Sequence, residues 1–189
     1  MTADEIDLDR AYEIFRHSYE AETGAAWSKE KFLSRARGWT FYGDANGFVT
    51  VRQQRSGMMK LVGVAGDPRS IIKGLNELQQ TGGAIWGAVS ASLATMAVKR
   101  GLIAPHRYPG GPLMIRALLA MVPASVFGGE TPDVARDGGL EFHYSDVGSA
   151  TKYLVGNKAY FRQALQQPDV MEKIKSIPGA TTVLRLIGL

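Results

Sequence analysis

The chain contains no cysteine. That absence excludes disulfide staples, thiolate metal ligands and thiol catalysis. Histidine is almost as scarce. His17, His106 and His143 are the three, and no two stand three or four residues apart, so no helical ligand pair is present and no metal site is expected. A run of about 18 apolar residues is needed to cross a bilayer. The nearest approach, Leu113 to Phe127, is interrupted by Arg116 and Pro123, so no membrane span is expected. The opening residues MTADEIDLDRAYEIF lack a basic stretch ahead of an apolar core, and no secretory signal is expected there. The serines lack the nucleophile elbow G-x-S-x-G; Val147-Gly148-Ser149 has valine where that motif needs glycine. Gly82-Gly83 and Gly110-Gly111 lack a following Gly-Lys-Ser/Thr, so they are turns and not phosphate loops.

What remains is the composition of an ordinary globular protein, with 189 residues, 45% hydrophobic and 21% charged. A chain of that size buries about 70% of its unfolded surface, so one domain spanning 1–189 is expected. The net charge of +4 is mildly basic, which favours phosphate-bearing partners without naming one.

Periodicity orders the elements. Apolar residues at helical spacing (Ile6, Tyr12, Phe15, Tyr19) predict a helix from Asp4 to Thr23, ended by Gly24. Ser28 is the N-cap candidate of a second helix, Lys29 to Arg37. Trp39–Tyr42, Phe48–Gln53 and Met58–Ala65 read as three strands joined by turn-rich residues, a meander. Gly66-Asp67-Pro68 is a turn signal, and Ser70 to Gln79 reads as a helix. Ala84 to Val89 is a buried strand, followed by a helix capped by Ser90 or Ser92. This alternation predicts a parallel pair with a right-handed crossover. About 103–139 reads as an inserted helical and loop element around an apolar helix, Leu113 to Met121. Strands follow at Leu140–Tyr144 and Thr151–Val155, then a helix at Ala159–Gln166, and 167–189 forms a C-terminal helix and an apolar tail.

The order of helix, helix, three-strand meander, helix, strand, helix and late strands resembles the GNAT (GCN5-related N-acetyltransferase) superfamily. The resemblance spans about Leu8 to Leu102, with further support from Leu140 to Leu165. It implies an α+β fold with a mixed central sheet flanked by helices. In that family an Arg/Gln-x-x-Gly-x-Gly/Ala loop holds the pyrophosphate of acetyl-CoA on backbone N–H groups at a helix start, the physics of any anion at such a start. The matching stretch is Arg69-Ser70-Ile71-Ile72-Lys73-Gly74. The resemblance therefore implies Arg69, Ser70, Lys73 and Gly74 as cofactor contacts if the chain is an active N-acyltransferase. Ile72 stands where the middle glycine is required, and its branched bulk opposes close approach of a phosphate. The family's general-acid tyrosine maps onto Val98, four residues before Gly101-Leu102, and valine donates no proton. Tyr108 and Tyr144 are the substitutes, and Glu141 and Asp67 are the available carboxylates for a base.

A second resemblance is to the small GNAT-like internal virion proteins of T7-type podophages. It rests on Met59-Lys60-Leu61-Val62-Gly63-Val64-Ala65-Gly66, the helix Ser70 to Leu78, and Ile85-Trp86-Gly87-Ala88-Val89-Ser90. It implies a structural component of a phage particle, in the virion or the host cytoplasm. Its contacts to other virion proteins, or to itself, would run through Leu113–Met121 and the C-terminal tail. A weaker reading is nucleic-acid binding through Arg35, Arg37, Arg52, Arg55 and Lys60, interleaved with Trp39, Phe41 and Tyr42; aromatics on a short strand are ordinarily core.

Overall fold

Local chemistry places each helix start. Asp7 accepts N–H bonds from Asp9 (3.0 Å) and Arg10 (3.1 Å) and opens α1 (Leu8–Thr23). Ser28 accepts from Lys31 (3.3 Å) and opens α2 (Lys29–Ala36). Both are the short polar residues that satisfy the orphan amides of a first turn. The meander follows as β1 (Thr40–Asp44), β2 (Gly47–Gln53) and β3 (Met59–Gly66), then α3 (Pro68–Gln80). The computed structural model describes residues 6–108, 110–119, 132–144, 148–186 and 188–189. They divide into two compact units, Met1–Ile85 and Trp86–Leu189.

In the first unit β1, β2 and β3 pair antiparallel in sequence order. Alternation sends Phe41 and Phe48 to one face. There they meet Ala11, Tyr12, Phe15, Phe32, Ala36, Trp39 and Ala65 in a core dominated by rings, beneath α1 and α2. Phe32 meets Trp39 edge-on at 5.7 Å and Phe15 at 5.0 Å. Each fully buried ring of this kind contributes roughly 1.5–3 kcal/mol. α3 packs on β1 and β2 through Ile71, Leu75 and Leu78. The β2–β3 register slips once. Thr50 opposes Gly63 but Val51 opposes Leu61, so Val62 is an unopposed bulge residue. Thr50, fully buried, bonds the Gly63 carbonyl beside it at 3.1 Å.

In the second unit β4 (Ile85–Val89), β7 (Gly148–Gly156), β6 (Leu140–Tyr144) and β5 (Asp133–Val134) are neighbours in that order, every pair antiparallel. Ser90 caps α4 (Ala91–Lys99). A 3-10 turn (Pro105–Arg107) and α5 (Gly111–Leu119) precede β5; α6 (Lys158–Leu165), α7 (Pro168–Lys175) and α8 (Ala180–Leu186) follow β7. Trp86 stacks on Tyr160 at 5.7 Å inside this unit, and burial pushes the Tyr160 phenol up.

The fold class is α+β, as expected. Three readings shift in detail. The third helix begins at Pro68 and not at Ser70, because Asp67 caps it with proline in the first turn. The end of the element at about 103–139 joins the strands, since Asp133 and Val134 pair with Glu141 and Leu140. The apolar tail is helical, as α8. α5 itself packs on the 3-10 turn, α7, α8 and β5, with Met114, Ile115 and Leu119 buried. Met121, Pro123, Gly128-Gly129 and the loop 145–147 lie outside the described residues. Among the described residues no helix is long and apolar enough to cross a membrane.

Candidate functional site

The junction of β3 with α3 is where the sequence directs attention. The strand leaves through Gly66, at φ 99°, a conformation glycine alone adopts freely. Asp67 then turns extended, and its own N–H donates to the Asn46 carbonyl at 2.9 Å. Its carboxylate accepts from Arg69 N–H at 2.8 Å and Ser70 N–H at 3.2 Å. Its carbonyl accepts from Ile71 N–H at 3.0 Å. Pro68 has no N–H to offer. Every amide of the first turn is thus accounted for, and a negative charge already occupies the dipole's positive end.

A diphosphate bound at a helix start needs unpaired N–H groups directed at it. Here a carboxylate of the chain has taken them. The residues present do not fit the pyrophosphate of acetyl-CoA at this position.

The four residues matched to the cofactor loop are placed as follows. Arg69 lies exposed in the first turn. Ser70, 5% exposed, donates its hydroxyl to Asp44, the largest cause of the low pKa of that carboxyl. Lys73 reaches the Gly43 carbonyl at 3.3 Å and lies 3.7 Å from Asp44 and 3.8 Å from Glu77. Glu77 in turn accepts from Gly43 N–H at 3.0 Å. Gly74 is buried against β1; a Cβ there would overlap the Tyr42 carbonyl oxygen and stand 2.9 Å from its carbon. Ser70, Lys73 and Gly74 therefore fasten α3 to the β1 end. Ile72 sits half-buried one turn into the helix, beyond the first-turn amides.

Beside the junction lies an open groove of about 480 Å³ lined by Arg10, Glu13, Ile14, His17 and Ser18 of α1, with Asn46 and Gly66. Ser18 Oγ accepts the Gly66 N–H at 2.9 Å. Arg16 bonds Glu13 at 2.8 Å and lowers its pKa. Charges of both signs line the groove.

The other candidates belong to the second unit. Val98 is half-buried in the last turn of α4, and Tyr108 is half-buried after the 3-10 turn. The side chain of Tyr144 lies outside the described residues. Glu141 is exposed on β6 opposite Thr151 and Asp133. His143 stands 4.0 Å from Asp133. No group of three metal-ligating side chains occurs among the described residues.

No protein-family model matches this chain, and no curated protein matches it.

One arrangement escaped the sequence. The His106 ring lies 4.6 Å from Tyr153, whose hydroxyl donates to Asp137 at 3.0 Å. Asp137 also accepts from Gly139 N–H at 2.9 Å, and these two bonds, the Gly139 one first, lower its pKa. His106 Nδ1 is buried with no partner among the described residues. Desolvation, then Arg107, lowers the pKa of the imidazole. Asp137 stands 31 residues after His106, and no local pattern joins the two.

Proposed function

We propose that this chain is a GNAT-like structural protein of a tailed-phage particle, an internal virion component without a working acetyl-CoA site. The virion assignment rests on the resemblance of the blocks Met59–Gly66, Ser70–Leu78 and Ile85–Ser90. The observation that carries the loss of chemistry is the self-capped start of α3, where Asp67 occupies the amides a diphosphate would need. Two further facts support a packing role. Leu113 on α5 and Leu186 on α8 are 44% and 68% exposed, the large apolar side chains left outside the core among the described residues. Both lie on the segments from which contacts to other virion proteins, or to a second copy, are expected.

Calorimetric titration with coenzyme A tests the first half. No heat at millimolar ligand is the expected result. Purified particles test the second half, with this chain present at fixed stoichiometry. Its absence from them would defeat the assignment.

The second reading is an active acetyl-CoA-dependent N-acetyltransferase acting on an amine of a protein or small molecule. The bulge at Val62 favours it, because bulges concentrate beside active sites. Micromolar binding of coenzyme A, weakened by Arg69→Ala, would establish this reading over the first.

A further inference from the structure

Between Leu33 and Gly66 the chain carries five cations, Arg35, Arg37, Arg52, Arg55 and Lys60, and one anion, Asp44. The sheet register separates them by sign. Asp44 pairs with Gly47 at one end of β2, where Lys73 neighbours it and Ser70 donates to it. Arg52 lies five residues along the same strand, about 17 Å away at 3.4 Å per residue. It directly opposes Lys60 of β3. Opposed residues of an antiparallel pair project from the same face. Parity along β2 puts Arg52 on the face of Phe48, the face covered by α1 and α2. Arg37 caps the C-terminal end of α2 two residues ahead of Trp39, and Arg35 occupies its last turn. Arg55 stands in the turn joining β2 to β3. The cations thus gather at one end of the three-stranded sheet, opposite the end where α3 starts.

Two like charges directly opposed cost stability, and this fold keeps them. The potential there is felt by Lys60, whose pKa falls to about 8, through burial first and then Arg52. Four of the five cations are arginine, whose planar fork matches phosphate oxygens. Among the described residues, Trp39, Phe41 and Trp27 offer no open ring face for base stacking. Trp39 and Phe41 are 6% and 0% exposed, and the Trp27 ring is covered by Lys31 at 5.4 Å and Arg35 at 5.1 Å. Among the described residues beside the patch, Met58 gives no apolar anchor for a lipid surface, being 7% exposed.

We propose that this end of the sheet, with Arg35, Arg37, Arg52, Arg55 and Lys60, binds the phosphate backbone of nucleic acid without reading its sequence. Single strands and duplexes bind alike in kind, because the surface meets charge and not bases.

The test is fluorescence anisotropy with a labelled 20-nucleotide strand and the matching duplex, from 50 to 200 mM salt. For about four phosphate contacts the duplex affinity falls with a log–log salt slope of about −3.6. Arg52→Gln and Arg55→Gln keep much of each stem, and each should reduce that slope by about one unit. The pair Lys173→Glu/Lys175→Glu on α7 changes the net charge by more, yet is expected to leave affinity within about twofold, because that helix is not part of the patch. Thermal melts confirm that each variant is folded. The proposal is overturned if the α7 pair weakens binding as much as the patch variants, if the slope is unchanged by them, or if no binding occurs at 50 mM salt. Competition by poly-glutamate as strong as that of unlabelled DNA at equal charge would also overturn it, in favour of an acidic protein partner.

Discussion

Gly74→Ala is the perturbation that best separates a packing glycine from a ligand-approach glycine. In an exposed helix interior this change stabilises by about 0.8–1.0 kcal/mol, because alanine loses less backbone freedom on folding. At position 74 a Cβ would overlap the Tyr42 carbonyl oxygen, and it would stand 2.9 Å from the Tyr42 carbonyl carbon and 3.3 Å from Gly43 N. These are backbone atoms of a strand paired along its length with β2, so they cannot rotate aside as a side-chain tip would. α3 cannot easily lift either, since Lys73 and Glu77 tie it to Gly43 on the same side. Overpacking of this kind costs typically about 1–3 kcal/mol. Taking the upper part of that range and subtracting the propensity gain leaves a net loss of about 1–2 kcal/mol. At about 2–4 °C per kcal/mol for a chain of this size, Tm falls by roughly 2–8 °C. Gly38→Ala is the control: its nearest neighbour is the Arg35 carbonyl oxygen at 3.9 Å, and Tm should hold or rise slightly. Differential scanning calorimetry reads both. A Gly74→Ala protein melting at or above the parent would falsify the packing role and reopen the glycine as a site of ligand approach.

Three other outcomes are expected. Asp67→Ala should lose about 1 kcal/mol in urea unfolding, whereas Asp67→Asn, which caps comparably, should lose only a few tenths; equal losses would contradict the cap. Lys60 has a pKa near 8, below the ordinary 10.5, so between those values the unfolded chain holds more protons and stability rises with pH. Lys60→Met should therefore melt higher than the parent at pH 7, with the gap closing as pH climbs from 8 to 10.5; a constant gap would refute this. His106 has a folded pKa below its ordinary 6.5, so its contribution is complete above 6.5 and is lost as pH falls beneath it. His106→Phe keeps a ring against Tyr153 and should flatten the acid side of the Tm–pH curve; an unchanged acid limb would show that other groups set it.

The α+β class and the order of the elements were legible along the chain. Helical spacing of Tyr12, Phe15 and Tyr19 and alternation along β2 are local signals, and the caps Ser28 and Ser90 act within three residues of themselves. The start of α3 was half legible. Gly66-Asp67-Pro68 announced a break, but both serine at 70 and aspartate at 67 can cap, and the choice went to the residue that proline follows. That choice moved the helix start from Ser70 back to Pro68, so Ile72 lies past the first turn and not within it.

What only the tertiary structure decided depends on residues far apart in sequence. Gly74 looks like a motif glycine until Tyr42 is placed against it. Asp137 and Tyr153 carry no pattern that joins them to His106. Arg52 and Lys60 become opposed because the bulge at Val62 shifts the β2–β3 register by one residue, and a one-residue slip reverses which side chains share a face. Periodicity is written in the chain because it follows from the backbone's own repeat. Register, close approach and the partner of a polar group are set by which elements meet, and no local window contains that information.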